Sequence, residues 1–445
     1  MIHRLVLAAC LCAGIAPAVH AQTAKDGFTY SGFVRARYET LEGQSRAGFG
    51  ASDTITSFRS QLLGEYRQGG WKIGAELYDS RGYGTKPRSA IGTAEVNALE
   101  LLQAYFVADG LKPFGDGPTM AFQAGRFTLN IGSRRLIAAD DYRNSTNGYT
   151  GLKTDARWAD GTGLTLFYVL PQQRRPDKAA AILDNAIAFD HEGFDQQLWG
   201  GIVAKPGILG ATGELGYYGF AEGDTPGRPT RNRNLQNFDA HLLSNPAPNA
   251  WDYEAEVIAQ TGTIKASTAA NAANLDVAAW FAHLSAGYMF AGENKPRLSL
   301  QYDYASGGSG PDYARFDTLF GMRRSDFAPG GIYAQIGRAN IATPALRFEF
   351  ELPPSIDAFL VYRPMWLANR RDAFSTSGVI DPSGRSGNFA GHQLEGRVRW
   401  WVVPQILRAE LNAAWLAKGR FLDTAPNANH YGNTQYLSVA LLTYF

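Results

Sequence analysis

From Phe28 onward the chain alternates between apolar and polar positions. Phe28, Tyr30, Gly32, Val34, Ala36 and Tyr38 fall on one face of an extended segment, and Thr29, Ser31, Phe33, Arg35, Arg37 and Glu39 on the other, with Phe33 the single misfit. Successive side chains of a strand point to opposite faces, so a period of two predicts a β-strand with one apolar and one wet face. The pattern returns at Phe58 to Tyr66 (Arg59, Gln61 and Glu65 opposite), Trp71 to Leu77 (Lys72, Glu76 and Tyr78 opposite) and Leu152 to Trp158 (Lys153, Asp155 and Arg157 opposite). Later, Trp251, Tyr253, Ala255 and Val257 alternate with Asp252, Glu254 and Glu256, and Leu346, Phe348, Phe350 and Leu352 with Arg347, Glu349 and Glu351. Val398 and Trp400 stand against Glu395, Arg397 and Arg399. No helix-period segment intervenes, which favours one large barrel over a sandwich.

Both ends of the chain point to the outer membrane. Thr434 to Phe445 puts Leu437, Val439, Leu441 and Phe445 on one face and ends on the aromatic residue, as a strand that closes a membrane barrel does. At the other end, residues 1–21 carry Arg4, an apolar run from Leu5 to Ala16 and Val19-His20-Ala21 at a cleavage position, which reads as a cleavable signal peptide. Residues 22–445 are then the barrel. Cys10 and Cys12 leave with the signal, so cysteine chemistry is excluded. No stretch before Phe28 is long enough for a plug domain of the kind found in energy-coupled transporters.

Connection lengths give the topology. Short links are expected at 68–70, 159–163, 205–210, 291–296, Pro353-Pro354 and Val403-Pro404, and long ones at about 171–194, 220–233, 306–343 and 369–387. Bacterial barrels keep short turns and both termini on the periplasmic side and long loops outside. Seventeen obvious strands break that parity. Asn234 to Leu243, where Phe238, Ala240 and Leu242 alternate with Asn237, Asp239 and His241, restores it and brings the count to 18.

Composition agrees with a barrel. Without Arg4 the chain has 41 basic and 41 acidic residues, which excludes a globally basic nucleic-acid binder. Aromatic residues make up 12%, glycines number 49, and mean hydropathy is −0.23, too polar for a helical membrane bundle. A charged residue on the lipid face costs about 2–4 kcal/mol at the bilayer midplane, so the charged faces must look into the lumen. The expected lumen cations are Arg35, Arg37, Arg59, Arg81, Arg126, Lys153, Arg157, Arg363, Arg397, Arg399 and Arg408. Glu39, Glu65, Glu76, Asp155, Asp252, Glu254, Glu256, Asp303, Glu349, Glu351, Glu395 and Glu410 are the expected anions.

At this level of detail the chain resembles the alginate-export family of outer-membrane barrels over most of its length. The resemblance rests on Arg35-Ala36-Arg37-Tyr38-Glu39, Glu76-Leu77-Tyr78-Asp79-Ser80-Arg81 and Leu102-Gln103-Ala104-Tyr105. It continues at Ala124-Gly125-Arg126, Gly132-Ser133-Arg134-Arg135-Leu136, Asp252-Tyr253-Glu254-Ala255-Glu256 with Gln260, and Tyr302-Asp303-Tyr304-Ala305-Ser306-Gly307. It implies an 18-stranded barrel acting singly, an exported anionic polysaccharide and a periplasmic export partner. One departure is clear. Where the family tends to carry Trp-x-Asn and then Phe-Asp-Gly before a basic residue, this chain has Tyr142-Arg143-Asn144 and Tyr149-Thr150-Gly151-Leu152-Lys153, so substrate identity does not follow from the resemblance.

The expected function is a channel for an anionic or hydroxyl-rich polysaccharide or oligosaccharide, with arginines exchanging carboxylates and inward Tyr78 and Tyr105 offering sugar-stacking faces. A general or sugar-selective diffusion porin for small solutes is the alternative. Individual charges also have the plainer role of pairing across strands, Arg347 with Glu349-bearing neighbours among them, and of filling a wet interior. The aromatic 306–343 loop, with Arg315, Arg323, Arg324 and Arg338 among Tyr313, Phe316, Phe320 and Phe327, is expected to fold inward. No enzymatic function is expected: His191, His241, His283, His392 and His430 are scattered without metal-like spacing, and 82–87 lacks the phosphate-loop pattern. No cofactor or metal is expected.

Overall fold

The final residue of the chain is stitched to its first strand. Phe445 N donates to Gly32 O at 3.1 Å, and Gly32 N to Phe445 O at 2.9 Å. The computed structural model describes residues 26–139, 142–308, 310, 312–323, 326–352 and 355–445; the signal segment, Arg324 and the Pro353-Pro354 turn lie outside these. Eighteen antiparallel strands run through the described residues. They are β1 (Gly27–Glu42), β2 (Ser52–Gln68), β3 (Trp71–Tyr83), β4 (Asn97–Leu111), β5 (Thr119–Phe127) and β6 (Tyr149–Arg157). Next come β7 (Gly163–Pro171), β8 (Gln196–Ile208), β9 (Ala211–Glu222), β10 (Asn234–Leu243), β11 (Ala250–Lys265) and β12 (Asn274–Met289). The wall is completed by β13 (Arg297–Ala305), β14 (Ile341–Leu352), β15 (Ile356–Trp366), β16 (Phe389–Val403), β17 (Leu407–Lys418) and β18 (Thr434–Tyr444). Two short helices, α1 (Ala179–Leu183) and α2 (Arg420–Thr424), lie in connections.

Each strand pairs with its chain neighbours, and β1 also pairs with β18, from Phe33 opposite Tyr444 to Glu42 opposite Gln435. Closure satisfies every strand edge inside the protein, which a bilayer requires because it offers no water to unpaired amides and carbonyls. The Asn234–Leu243 strand, inferred from parity, is β10, paired along its whole length with β9 and β11. No helix among the described residues is long and apolar enough to cross a membrane.

The period-two pattern sorts side chains as the sequence predicts. Leu437, Val439 and Leu441 of β18 look outward, whereas Arg35, Arg37 and Glu39 of the adjoining β1 are buried inside. Connections after odd-numbered strands are long and those after even-numbered strands short, which assigns the long side to the cell exterior. The long side holds more than the four loops expected: 43–51, 84–96, 128–148, 266–273 and 419–433 also lie there.

Two of these connections enter the barrel. The 306–340 loop buries Phe316, Phe327, Ile332, Tyr333 and Ile336 almost completely, since its apolar rings find in the lumen the cover that bulk water denies them. The 128–148 loop, not foreseen, buries Leu129, Leu136 and Ile137 beside it. The two pair as backbone: Phe320 N donates to Leu136 O at 2.9 Å and Met322 N to Arg134 O at 3.1 Å. Gly331, at φ 61°, lets the 306–340 loop approach the wall where any Cβ would collide with the Glu39 carboxylate.

Candidate functional site

Below the inward loops lies a cavity of about 580 Å³ whose lining carries more arginines than carboxylates. Its cationic wall comes from strands that meet around the β1–β18 closure. Arg35 and Arg37 on β1, Arg59 on β2, Arg347 on β14, Arg397 and Arg399 on β16 and Arg408 on β17 all line it. Arg35 stands directly opposite Arg59 in the register, an arrangement of like charges that destabilises a strand pair unless something compensates. The compensation is the 128–148 loop. Arg35 donates to Arg143 O (2.9 Å) and Asn144 Oδ1 (3.1 Å), Arg37 to Tyr142 O (2.6 Å) and Arg59 to Arg143 O (3.2 Å). The element that departs from the family pattern is therefore held largely through its carbonyls, and Asn144, completely buried, adds bonds to the carbonyls of Phe58, Arg81 and Glu95.

Lower on the same side, Arg397 and Arg399 share Asp357 at 3.1 and 2.9 Å, and Arg347 pairs with Glu349 at 2.8 Å. The Phe359 ring lies between the Arg347 and Arg397 guanidiniums, 4.0 and 4.8 Å from its centroid. The misfit Phe33 lines the cavity and takes Arg59 over its face at 5.1 Å. A ring that faces a guanidinium keeps it oriented without neutralising it.

The opposite wall is acidic. Glu254 on β11 is flanked by His241 of β10 (3.1 Å) and His283 of β12 (3.6 Å), and these histidines also contact Glu214 and Asp303, both at 2.7 Å. Arg135, from the inward 128–148 loop, closes the group. Its guanidinium contacts Glu254 at 2.6 Å, Glu256, and Asp326 of the 306–340 loop at 2.8 Å through two nitrogens. Arg338 bonds the same Asp326. His241, Glu254 and Glu256 each offer a ligand atom within 4.8 Å of the others, but Arg135 already supplies the cation that these carboxylates need.

The sequence model of the alginate-export family matches residues 30–434. The chain belongs to the alginate-export family. Solved barrels share its fold: OccAB1 from Acinetobacter baumannii (TM-score 0.59, 11% identity, 94% of this chain and 96% of that one) and a BenF-like porin from Pseudomonas fluorescens Pf-5 (0.57, 12%, 94% and 99%). OccD3 (OpdP) from Pseudomonas aeruginosa is similar at TM-score 0.56 and 13% identity, over 94% of this chain and 91% of that one. A comparison with curated proteins gave no match. This member of the family is an outer-membrane β-barrel channel.

Several expected lumen residues of this alginate-export family member lie elsewhere. Arg81 shares the outward face of β3 with Ile73 and Leu77 and pairs with Asp79 at 3.0 Å, so it does not line the pathway. Arg126 sits on the face of β5 opposite Gln123, tied to Glu100 (2.9 Å) and Glu192 (3.2 Å). Arg363 points inward but is completely buried under the 306–340 loop, beside Asp303 at 3.7 Å. Lys153 faces inward and pairs with Asp155 at 2.9 Å, away from the cavity, and Arg157 ends β6 exposed at the short-turn rim. Tyr78 offers no sugar-stacking face: it is 1% exposed, and its hydroxyl donates to Asn144 O. Tyr105 is half-buried, with its hydroxyl on Glu65 at 2.5 Å. Glu254, Glu349, Arg35, Arg37, Arg59, Arg397 and Arg399 do meet in the cavity. Arg135, Arg297 and Asp326 were missed; the Gly132-Ser133-Arg134-Arg135 motif was the available signal for the first.

Above the inward loops a second cavity, of about 470 Å³, opens among the long connections. Glu95 lines it. Burial, and then the nearby Glu39 charge, push the Glu95 carboxyl up to about 7 against the pull of Gly92 N, Arg37 and Arg143. A carboxyl raised in the folded state binds a proton there that the unfolded loop has released, so stability falls as pH rises from its ordinary value through about 7 and levels off above. Amides 92–97 should therefore exchange more slowly at about pH 5.5 than at about pH 8 after correction for intrinsic rates, and Glu95→Gln should remove the difference. Equal protection at both pH values in the parent would refute this.

Proposed function

We propose that the barrel passes anionic or hydroxyl-rich saccharides, from oligosaccharides to a polymer, by exchange of carboxylates along the arginines of its cationic wall. The observation that carries this reading is the convergence of Arg35, Arg37, Arg59, Arg397, Arg399 and Arg408 on one cavity. Guanidinium forks match carboxylates bidentately, and low-dielectric walls focus their field. Each already has a protein partner to return to, so a passing carboxylate is held weakly at many points, as conduction demands. The channel carries its substrate without transforming it, and polymer export would add a periplasmic partner at the short-turn mouth.

A diffusion porin for small solutes is favoured by one specific feature. The inward loops leave a cavity of about 580 Å³, the size that encloses a small molecule and not a polymer chain. The two readings part in planar bilayers. Anion preference with concentration-dependent block of single channels by oligouronates supports the saccharide pathway; cation selectivity without block would sink it. A weakly selective, unblocked pore would support the small-solute porin.

A further inference from the structure

The extracellular rim above β15, β16 and β17 carries cations that the lumen does not use. Arg370, Arg371 and Arg385 in the 367–388 connection and Arg420 at the start of α2 are all exposed. Gly384 packs against two of them, a Cβ built on it lying 3.1 Å from Arg370 Nε and 3.2 Å from Arg371 Cγ, while Arg420 Nη2 donates to the backbone of the third, Arg385 O, at 3.3 Å. Among the described residues no carboxylate forms an ion pair with any of the four. The neighbouring acids are engaged elsewhere. Asp372 accepts from Arg315 at 2.8 Å, and Asp381 from Ser383 Oγ at 2.6 Å and Ser386 N at 2.8 Å. That leaves Asp423 of α2 as the one available carboxylate against four guanidiniums.

Directly beneath, the outward face is aromatic. Trp366 and Phe389, paired at the upper ends of β15 and β16, have ring centroids 5.4 Å apart. His392 packs on Phe389 at 5.0 Å and on Tyr362 at 5.9 Å, and Tyr362 Oη lies 2.8 Å from His392 Nδ1. Aromatic side chains with polar tips mark the level where acyl chains give way to head groups. Like-charged guanidiniums held together just above that level repel one another unless an anion joins them.

We infer that this rim binds a phosphate-bearing glycolipid of the outer leaflet, with the four arginines forking its phosphates and the aromatic shelf lying against its sugar and upper acyl region. A dianionic phosphate accepts several guanidinium hydrogen bonds at once, which a neutral head group does not. The patch lies outside the cavity, so it goes beyond the conduction reading and stands or falls separately from it.

The test is native mass spectrometry of the folded barrel in detergent, titrated with bis-phosphorylated lipid A and with the same lipid after phosphatase treatment. The parent should retain the phosphorylated lipid at least tenfold more tightly than the dephosphorylated one. The variant with Arg370→Gln, Arg371→Gln, Arg385→Gln and Arg420→Gln should lose that tenfold preference while its single-channel conductance stays at the parent value. The matching set of lysine substitutions should keep most of the binding, which separates a charge effect from a folding defect. A control that removes four other exterior cations, Arg88, Arg175, Lys178 and Arg228, by glutamine should bind as the parent does. Equal binding of the two lipids by the parent, or undiminished binding by the arginine-to-glutamine variant, would overturn the inference.

Discussion

Single channels of an Arg135→Ala barrel should conduct severalfold more current than the parent and shift toward cations. Arg135 ties the two inward loops to each other and to β11, through Glu254 and Glu256 of β11 and Asp326 of the 306–340 loop. It is 4% exposed. Removing one partner of a buried ion pair costs about 3–5 kcal/mol, because the charges left behind are neither paired nor solvated. Here the three carboxylates would lose their shared guanidinium, leaving Glu254 to His241 and His283, Glu256 to Ser133 and Asp326 to Arg338. Losing that tie frees the loops to withdraw, which widens the lumen and exposes more negative charge to the passing ions. The wall should be spared, since its strand pairing does not involve Arg135. The variant should therefore keep the gel mobility of a folded barrel, and unchanged conductance would show that the backbone pairing of Leu136 with Phe320 holds the loops unaided. Arg135→Lys should be intermediate, because a single ammonium cannot reproduce the two-nitrogen contact with Asp326.

The second large effect concerns the cationic wall. The combined substitutions Arg35→Gln, Arg397→Gln and Arg399→Gln should weaken block by oligouronates at least tenfold, about 1.4 kcal/mol, and abolish anion selectivity. Each substitution alone should change block no more than about twofold, because a ladder of exchanging sites shares the load. Arg35 has a second duty, since it holds the 128–148 loop through Arg143 O and Asn144 Oδ1. The pair Arg397→Gln and Arg399→Gln separates the two, because these residues contact Asp357 of the wall. If that pair leaves both selectivity and block untouched, the lower arginines are structural and the saccharide reading loses its main support.

How much of this was legible differs from residue to residue. Arg35, Arg37, Arg59, Arg397 and Arg399 could be placed inside from the alternation of their own strands, and all five line the cavity. Arg81 was assigned inward on charge alone, although it shares parity with Ile73 and Leu77, so the signal was present and outweighed. A charge near a strand end escapes the midplane penalty by pairing at the membrane surface, as Arg81 does with Asp79. Arg363 obeys its parity and is nonetheless hidden, because parity gives direction and says nothing of what covers a side chain. His241 and His283 are far apart in sequence, and the register of β10, β11 and β12 sets both opposite Glu256, from where they reach Glu254 two positions along the same face.

By itself the sequence determined the wall: a period of two under a one-sided apolar constraint leaves each strand one possible orientation, and a bilayer tolerates no unpaired edge, so alternation and loop parity lead to a closed barrel of 18 strands. It also determined that charge lines the interior. The tertiary structure alone decided what the interior is, a cationic wall and an acidic wall joined by two loops through Arg135 and Asp326. Loops obey no periodicity, and their places follow from contacts between residues more than a hundred positions apart, such as Arg35 with Asn144 and Arg135 with Asp326, which no local pattern encodes.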